Sequence, residues 1–452
     1  MTDWKRLFPI LFINFVSALS FSIVLPFLII LVVRFGGNAV VYGILGASFS
    51  FFQLIGSPIL GNWSDRVGRR KVLLISHGGT VLSWFGILLA LSITASEVTY
   101  SDSLVGTIVI SVPLILLFVS RIADGLTGGN ISVANAYLVD ISTDEDRAAN
   151  FGYMGVSANV GFIVGPLIAA FASETSLGLK LPIILAIIIG FVGLVIISRT
   201  LERTVADQAS DADGEKKDEQ AKAKENEKIT FAQTLQIPHI RMLLTINFLI
   251  FLAFNFFFVS FPPFLLQELG WSLTQLGILF SFFGLSMAIT QGPILGFVSK
   301  RFERPILVTI GSMLMIVGFY ILSIGETKLV FVSIVFIAMG NGISYPSLLA
   351  IIASHGTSGH IQGRVQGLTA SVGSAAAIIG LLLGGILFAS IQGSVFLISA
   401  SIFIAVMILS LRMQINEEEH EATKVHLDLT HRFLGSHSLW HLTHREHSAE
   451  HD

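Results

Sequence analysis

Apolar runs of twenty or more residues, each closed by a short polar break, recur along the whole chain. They fall at about 7–33, 41–61, 71–93, 111–140, 149–173, 179–200, 240–267, 272–298, 305–325, 328–354, 363–391 and 393–413. About 20 apolar residues are needed for a helix to cross the hydrocarbon core of a bilayer. The pattern therefore predicts an all-α membrane protein with twelve transmembrane helices. An even number places both termini on one side. Two stretches break the rhythm. Residues 201–238 read as a linker: Ala206 to Lys228 alternates acidic and basic side chains with almost no apolar bulk, which predicts a charged segment without a core of its own. The end of that stretch, Ile229 to Ile237, is more apolar and is expected to lie along the membrane surface. Residues 416–452 form a polar tail. The expected organisation is a six-helix bundle over 1–200, a cytoplasmic linker over 201–238, a second bundle over 239–415 and a cytoplasmic tail over 416–452.

Loop charge orients the chain. One face collects Lys5, Arg6, Arg66, Arg69, Arg70, Lys71, Arg147, Lys300, Arg301, Arg304 and Arg364; the other has only Arg34, Lys180 and Lys328. Cytoplasmic loops carry the excess of Lys and Arg, so both termini are expected in the cytoplasm and the chain in the plasma (inner) membrane. Composition agrees: 53% of residues are hydrophobic and 13% charged, against about 25% charged in soluble domains. The run from Leu7 to Val33 is long enough to remain as a first span and not act as a cleaved leader. There is no cysteine, hence no disulfide framework. No phosphate-binding glycine loop, nucleophile elbow or metalloprotease helix is present. An enzyme, a cofactor and a nucleic-acid partner are therefore not expected. Any uphill work must draw on an ion gradient or on the substrate's own gradient.

The densest polar stretch is Gly61-Asn62-Trp63-Ser64-Asp65-Arg66-Val67-Gly68-Arg69-Arg70-Lys71. It reads as a tight turn between the second and third spans. Gly61 and Gly68 permit close approach and positive φ, and Asp65 and Arg69 are four apart. Asp140, ending the fourth span, reaches the same membrane surface and completes an expected Asp65–Arg69–Asp140 cluster. The turn recurs in eroded form. Pro58-Ile59-Leu60-Gly61 matches Pro293-Ile294-Leu295-Gly296 at an offset of 235, and Arg69 meets Arg304. The chain thus reads as two related halves. Further on, Gly129-Asn130-Ile131-Ser132 aligns with Gly340-Asn341-Gly342-Ile343-Ser344 at an offset near 211. The first half therefore carries extra residues after its third span, and Glu97 to Ile110 is the expected insertion.

Ionisable residues inside spans are expensive and mark function by default. Arg121 and Asp124 lie three apart in the fourth span, on one helical face. Arg121 either binds an anionic group or keeps Asp124 charged; Asp124 can exchange a proton when its surroundings change; or the two form a neutral pair that joins helices. Gly161 and Gly165-Pro166 in the fifth span permit close helix approach and a loosened helix. Asn14, Gln53, Asn130, Asn135 and Asn159 in the first half, and Asn247, Asn255, Gln291 and Asn341 in the second, together with Tyr345, are candidates for lining a midplane cavity; the alternative is interhelical bonding. Eight of the twelve histidines lie after residue 419. In a helix His437, His441, His444 and His451 would share one face, a spacing open to Zn²⁺ or to a simple interfacial segment.

These motifs resemble the major facilitator superfamily, over nearly all the chain outside the linker and tail. Gly61 to Lys71 resembles the superfamily's loop between helices 2 and 3. Ser120-Arg121-Ile122-Ala123-Asp124-Gly125-Leu126-Thr127-Gly128, Ala136-Tyr137-Leu138-Val139-Asp140-Ile141-Ser142, Asp146-Arg147-Ala148, Phe151-Gly152, Gly161 to Pro166, and Gln362-Gly363-Arg364-Val365-Gln366-Gly367 resemble the tetracycline/proton antiporters and related multidrug exporters. The resemblance implies two pseudo-symmetric six-helix bundles around a central cavity that opens alternately to each side. It implies that Gly61, Asp65, Gly68, Arg69, Asp140 and Gly363 belong to a latch that holds the outward-open state, that Arg121 helps couple proton movement, and that Gly165-Pro166 shapes a helix interface. Tetracycline exporters carry acids in helices 1, 3 and 9; here helices 1 and 9 have none and helix 3 reads Ser83-Trp84, so proton coupling would rest on Asp124.

The expected function is export of small, largely hydrophobic, drug-like compounds by proton antiport, by a monomer in the lipid bilayer. The alternatives are a uniporter or symporter of a polar metabolite or organic anion held by Arg121, and a non-transporting sensor or scaffold with a metal-binding tail.

Overall fold

Proline and glycine decide where the apolar runs cease to be single helices. The computed structural model describes residues 4–93, 97–102, 106–128, 130–143, 146–201, 239–354 and 359–413; the linker and the histidine tail, with His437, His441 and His444, lie outside them. The first run is α1 (Trp4–Val24), a single 3-10 turn at Leu25–Phe27, and α2 (Leu28–Arg34). Pro26 sits in that turn, where its missing N–H and its ring are incompatible with an unbroken α-helical ladder. Then follow α3 (Ala39–Val67) and α4 (Arg69–Ala90). Asn38 caps α3, its Oδ1 accepting from the N–H groups of Val40 and Val41 at 3.0 and 3.1 Å.

The polar stretch 61–71, expected as a tight turn, narrows to a single residue between two helices. α3 stays helical through Val67, and Gly68 alone separates it from α4, at φ +104°. Only glycine adopts that backbone at low cost.

The expected insertion is a β-hairpin, β1 (Glu97–Asp102) and β2 (Gly106–Ser111), antiparallel with Glu97 opposite Ser111. Val109 donates its N–H to the Gly36 carbonyl at 2.8 Å, and the Ser111 hydroxyl donates to the Phe35 carbonyl at 2.8 Å. The hairpin is therefore tied to the turn between α2 and α3.

The fourth run, expected as one helix over 111–140, is two: α5 (Val112–Thr127) and α6 (Asn130–Ile141). Neighbouring side chains take up the carbonyls freed at the break, as irregular backbone in a bilayer requires. Ser76 of α4 donates to the Thr127 carbonyl, and Gln53 of α3 donates to the Gly128 carbonyl at 3.3 Å. The half closes with α7 (Arg147–Ser173) and α8 (Lys180–Thr200).

The second half comprises α9 (Ile240–Pro263), α10 (Leu273–Ile289), α11 (Leu295–Val298), α12 (Arg304–Ser323), α13 (Thr327–Ser354), α14 (Gly359–Ile391) and α15 (395–413). Wider π turns follow or contain prolines: Phe264–Glu268 after Pro262-Pro263, and Thr290–Ile294 around Pro293. Its core is built on phenylalanine, with Phe257 at 4.8–6.3 Å between ring centroids from Phe261, Phe283, Phe319 and Phe396. Ten helical stretches among the described residues are long and apolar enough to cross a membrane. The number is below twelve because the fourth run is split and the last two form one stretch, Val365–Met413. The architecture is the expected twelve-helix membrane fold in two six-helix halves.

The halves meet along two seams, both toward the face that carries the hairpin. In the first, Gly43 of α3 lies against Gly385 of α14; in the second, Gly277 of α10 packs on α7, where a methyl group would lie 2.6 Å from the Pro166 carbonyl. Thr274 also donates to Glu174 across the second seam at 2.5 Å. Toward the opposite, basic face the same helices stand apart. Gly61 of α3 and Gly367 of α14 have nothing within 4 Å of where a methyl group would sit. A cavity of about 660 Å³ opens between them, lined by Asp65 and Arg69 on one side and Gly367 and Ser371 on the other.

Candidate functional site

Arg121 and Asp124 are paired inside the first half. Arg121 Nη1 donates to Asp124 Oδ2 at 2.6 Å, with both side chains about 4% exposed. The guanidinium stacks over the Phe49 ring, 4.0 Å from its centroid, and Thr80 of α4 lines the same cavity as the Asp124 carboxylate. The cation–π face and the carboxylate replace the water that a buried guanidinium loses. Arg121 Nε has no partner. Gly125 makes the packing possible: a methyl there would lie 2.6 Å from the Phe49 carbonyl. Without a side chain, α3 comes close enough to set Phe49 on the cation.

Two adjoining cavities lie near the pair, and Asp124 lines the first of them. The first, of about 290 Å³, lies within the first half and is lined by Asn14, Ser17, Phe21, Phe49, Gln53, His77, Thr80, Asp124 and Phe162. The second, of about 420 Å³, lies between the halves. Its walls are Phe21, Phe162, Phe254, Phe258, Phe280, Phe283, Met287 and Tyr345, with Asn159, Gln291 and Asn341 as its amides. Phe21 and Phe162 belong to both and form the partition. Among the described residues, no charged side chain lines the second cavity. Asn159 donates to Gln291 at 3.3 Å, a hydrogen bond from one half to the other across the cavity.

The cavity candidates therefore divide. Asn14 and Gln53 line the first cavity, and Asn341 and Tyr345 the second. Asn14 also bonds to the Met154 carbonyl and the Ser157 hydroxyl, each at 2.8 Å. Asn247 is placed differently. It is fully buried and donates to the Thr369 carbonyl at 3.1 Å, joining α9 to α14. Asn255 bonds within its own helix to the Phe251 carbonyl at 2.8 Å and packs on Gly380 of α14. Asn247 thus bonds between helices, whereas the bond of Asn255 stays within its own helix and only its packing reaches α14. Asn130 begins α6; its side-chain surroundings lie outside the described residues, as do those of Gly363 in α14.

At the basic face Asp65, Arg69 and Asp140 form one cluster. Arg69 is 2.5 Å from Asp65 and 3.1 Å from Asp140, and it also donates to the Ser64 hydroxyl at 2.6 Å. Arg69 is 12% exposed, Asp65 58%. In the eroded repeat Arg304 donates instead to the Ala350 carbonyl at 3.0 Å, capping α13. Gly161 and Gly165 face α1: a methyl at Gly161 would lie 2.7 Å from the Leu19 nitrogen, and one at Gly165 would run into the Ser22 hydroxyl. Pro166 faces α10. The motif thus holds α7 against one helix of its own half and one of the other.

Three site features were not singled out from sequence: His77, its neighbour Thr80, and the aromatic partition. His77 alone had a legible signal, since it is an ionisable residue in mid-span, the criterion that selected Arg121.

The apolar helices and the cavity between the halves suit a multi-pass membrane transporter. A Major Facilitator Superfamily model matches residues 10–241 and 243–443. A class E tetracycline resistance protein of Escherichia coli is 30% identical, over 88% of this chain and 93% of its own length. Multidrug resistance protein 2 of Bacillus subtilis (strain 168) is 24% identical, over 86% and 90%. Among solved structures, a D-xylose-proton symporter superposes with TM-score 0.71 at 14% identity, over 90% of this chain and 97% of that one. The human organic anion transporter MFSD10 (TETRAN) superposes with TM-score 0.64 at 20% identity, over 90% and 99%. The chain belongs to the Major Facilitator Superfamily.

Proposed function

We propose that the protein exports small, largely hydrophobic compounds by proton antiport, as a monomer in the inner membrane. One observation carries the reading: an aromatic cavity, uncharged among the described residues, abuts a smaller cavity lined by Asp124, the carboxylate paired with Arg121. The first suits a flat, apolar compound with one or two hydrogen-bonding groups. The second provides a carboxylate that can exchange a proton when its ion pair is disturbed. The names of the relatives, tetracycline and multidrug resistance proteins, agree with this substrate class.

The basic face is assigned to the cytoplasm by the positive-inside rule, with both termini on that side. The gap between Gly61 and Gly367 then makes this conformation inward-open. Residues 1–200 and 239–415 act as two rocking units joined by the linker. Asp65, Arg69 and Asp140, with Gly61, Gly68 and Gly363, belong to the latch that closes the cytoplasmic side. An anion carrier is the weaker reading, because the guanidinium that would bind an anion is already engaged by Asp124 and Phe49.

The test uses proteoliposomes with ethidium and tetracycline as probes. Accumulation should follow an imposed pH gradient and vanish when the gradient is collapsed. In Asp124→Asn, gradient-driven accumulation should be lost while exchange at equal pH persists. Transport of both probes with no response to the gradient would exclude antiport.

A further inference from the structure

His77 is a buried ionisable group that the reading above leaves without a role. It sits in the middle of α4, 1% exposed. Glycines on α8 make room for it: a methyl at Gly193 would lie 2.5 Å from its Nε2. Nε2 is 2.9 Å from the Gly190 carbonyl oxygen. A carbonyl only accepts, so Nε2 carries the hydrogen, and in the neutral ring Nδ1 holds a lone pair. Nδ1 faces the Ser17 hydroxyl of α1 at 3.3 Å. That partner is reversible: a hydroxyl donates or accepts according to its rotation. Nδ1 can therefore gain a hydrogen with the ring held still and its bond to Gly190 intact. Ser17, His77, Thr80 and Asp124 all line the same cavity. Thr80, about one helical turn from His77, lies between it and Asp124 in the lining of that cavity.

We propose that His77 is a second proton-binding residue of this cavity, loading at Nδ1 as Asp124 unloads and unloading as Asp124 loads; the inference rests on the antiport reading above. On loading, a hydronium ion in the cavity gives its proton to Nδ1: one of its O–H bonds breaks, the N–H bond forms and a water molecule is left. The Ser17 hydroxyl turns its hydrogen away and accepts from the new N–H. No other bond forms or breaks, and unloading is the reverse. The charged and titratable groups around the ring are few. α5 brings Asp124, with Arg121 paired to it, and α3 brings Gln53 to the cavity and Tyr42 to the neighbourhood of Arg121. From α1 come the uncharged Ser17 and Asn14, and from α8 a backbone carbonyl. The charge of α6 at Asp140 is engaged by Arg69 at the basic face. Asp124 is thus the carboxylate placed to balance an imidazolium at His77, and two sites in one cavity allow each to be emptied as the other fills.

The test compares the full-length wild type with His77→Gln, whose amide nitrogen can still donate to the Gly190 carbonyl. In nanodiscs with ¹⁵N-labelled histidine, the resonance missing from His77→Gln should show an unprotonated Nδ1 at about pH 8 and a protonated one at about pH 5. In proteoliposomes His77→Gln should keep ethidium exchange at equal pH within about twofold, yet lose about half or more of gradient-driven accumulation and the step near neutral pH in its profile. A ring that stays neutral down to about pH 5 overturns the proposal. So does a His77→Gln profile that matches a pH-responsive wild type, and that result leaves antiport standing. A wild type that ignores the gradient removes antiport and the role of His77 together.

Discussion

Gly43 of α3 and Gly385 of α14 meet backbone to backbone. A methyl on Gly43 would lie 2.5 Å from the Leu381 carbonyl oxygen and 3.1 Å from the Gly385 Cα. A methyl on Gly385 would lie 2.7 Å from the Ala39 carbonyl. Some five helical turns along α3, Gly61 faces open space. The two helices form a V whose apex is this glycine pair and whose mouth is the cavity beside Arg69.

A side chain at the apex should therefore act on the conformational equilibrium. Overpacking a close contact costs about 1–3 kcal/mol, enough to shift a two-state population by roughly five- to a hundredfold. Gly385→Leu is expected to part the seam and favour the outward-open state. The chain has no cysteine, so a single Gly46→Cys probe, placed where Leu381 packs at 3.4 Å, reports the seam cleanly. Its labelling by an impermeant maleimide from the hairpin side should accelerate in Gly385→Leu. An unchanged rate would show that this seam is not the seal.

The Arg121–Asp124 pair should behave as a unit in stability. Removing one partner of a buried ion pair leaves a charge uncompensated and costs about 3–5 kcal/mol. Replacing both with apolar groups of similar volume costs far less. Arg121→Ala is expected to lower the detergent melting temperature more than Arg121→Met combined with Asp124→Leu does, while both abolish gradient-driven transport. Thermal unfolding of the two variants and of each single change checks this. Additive melting shifts would mean that the two residues are not energetically coupled in the folded protein.

Much of this arrangement is legible in the sequence, for physical reasons that differ by element. The spans follow from apolar length alone, and the Asp65–Arg69–Asp140 cluster follows from charges that must share one membrane surface. The break after Thr127 does not. Gly128-Gly129 is compatible with an unbroken membrane helix, and the break depends on Ser76 and Gln53 arriving from other helices to take the freed carbonyls. The hairpin over 97–111 is hidden similarly, because its anchor is the Gly36 carbonyl, some seventy residues earlier. The amides are hardest to sort. Asn14 and Asn247 sit in similar apolar surroundings along the chain, and only the helix packing decides that one lines a cavity while the other is fully buried.

Arg69 should matter more for switching than for folding. Its ion pairs with Asp65 and Asp140 lie at an aqueous edge, where such contacts are worth about 0.2–1 kcal/mol each and weaken with salt. Arg69→Ala is expected to shift the melting temperature by only about 2 °C but to slow ethidium export severalfold. Spin labels at Gly61→Cys and Gly367→Cys should read the cause directly. In the wild type the distance distribution should hold a short, closed component as well as the open one, and in Arg69→Ala the short component should fall. An equal distribution in both would remove the latch.

Two asparagines give a last contrast. Asn159 bonds to Gln291 inside the aromatic cavity, where water or substrate can replace either partner, whereas Asn247 is fully buried and bonds to the Thr369 carbonyl. Losing a neutral hydrogen bond costs about 0.5–1.5 kcal/mol, and leaving a buried acceptor unpaired about 1–3 kcal/mol. Asn247→Leu should therefore lower the melting temperature by several degrees and leave substrate preference unchanged. Asn159→Leu should leave the melting temperature nearly unchanged and shift the ratio of tetracycline to ethidium transport about threefold or more, because the amide is a polar contact offered to the substrate. Melting curves and paired transport assays on the two variants separate a structural amide from a recognition amide. The opposite pattern would move the substrate site away from the partition of Phe21 and Phe162.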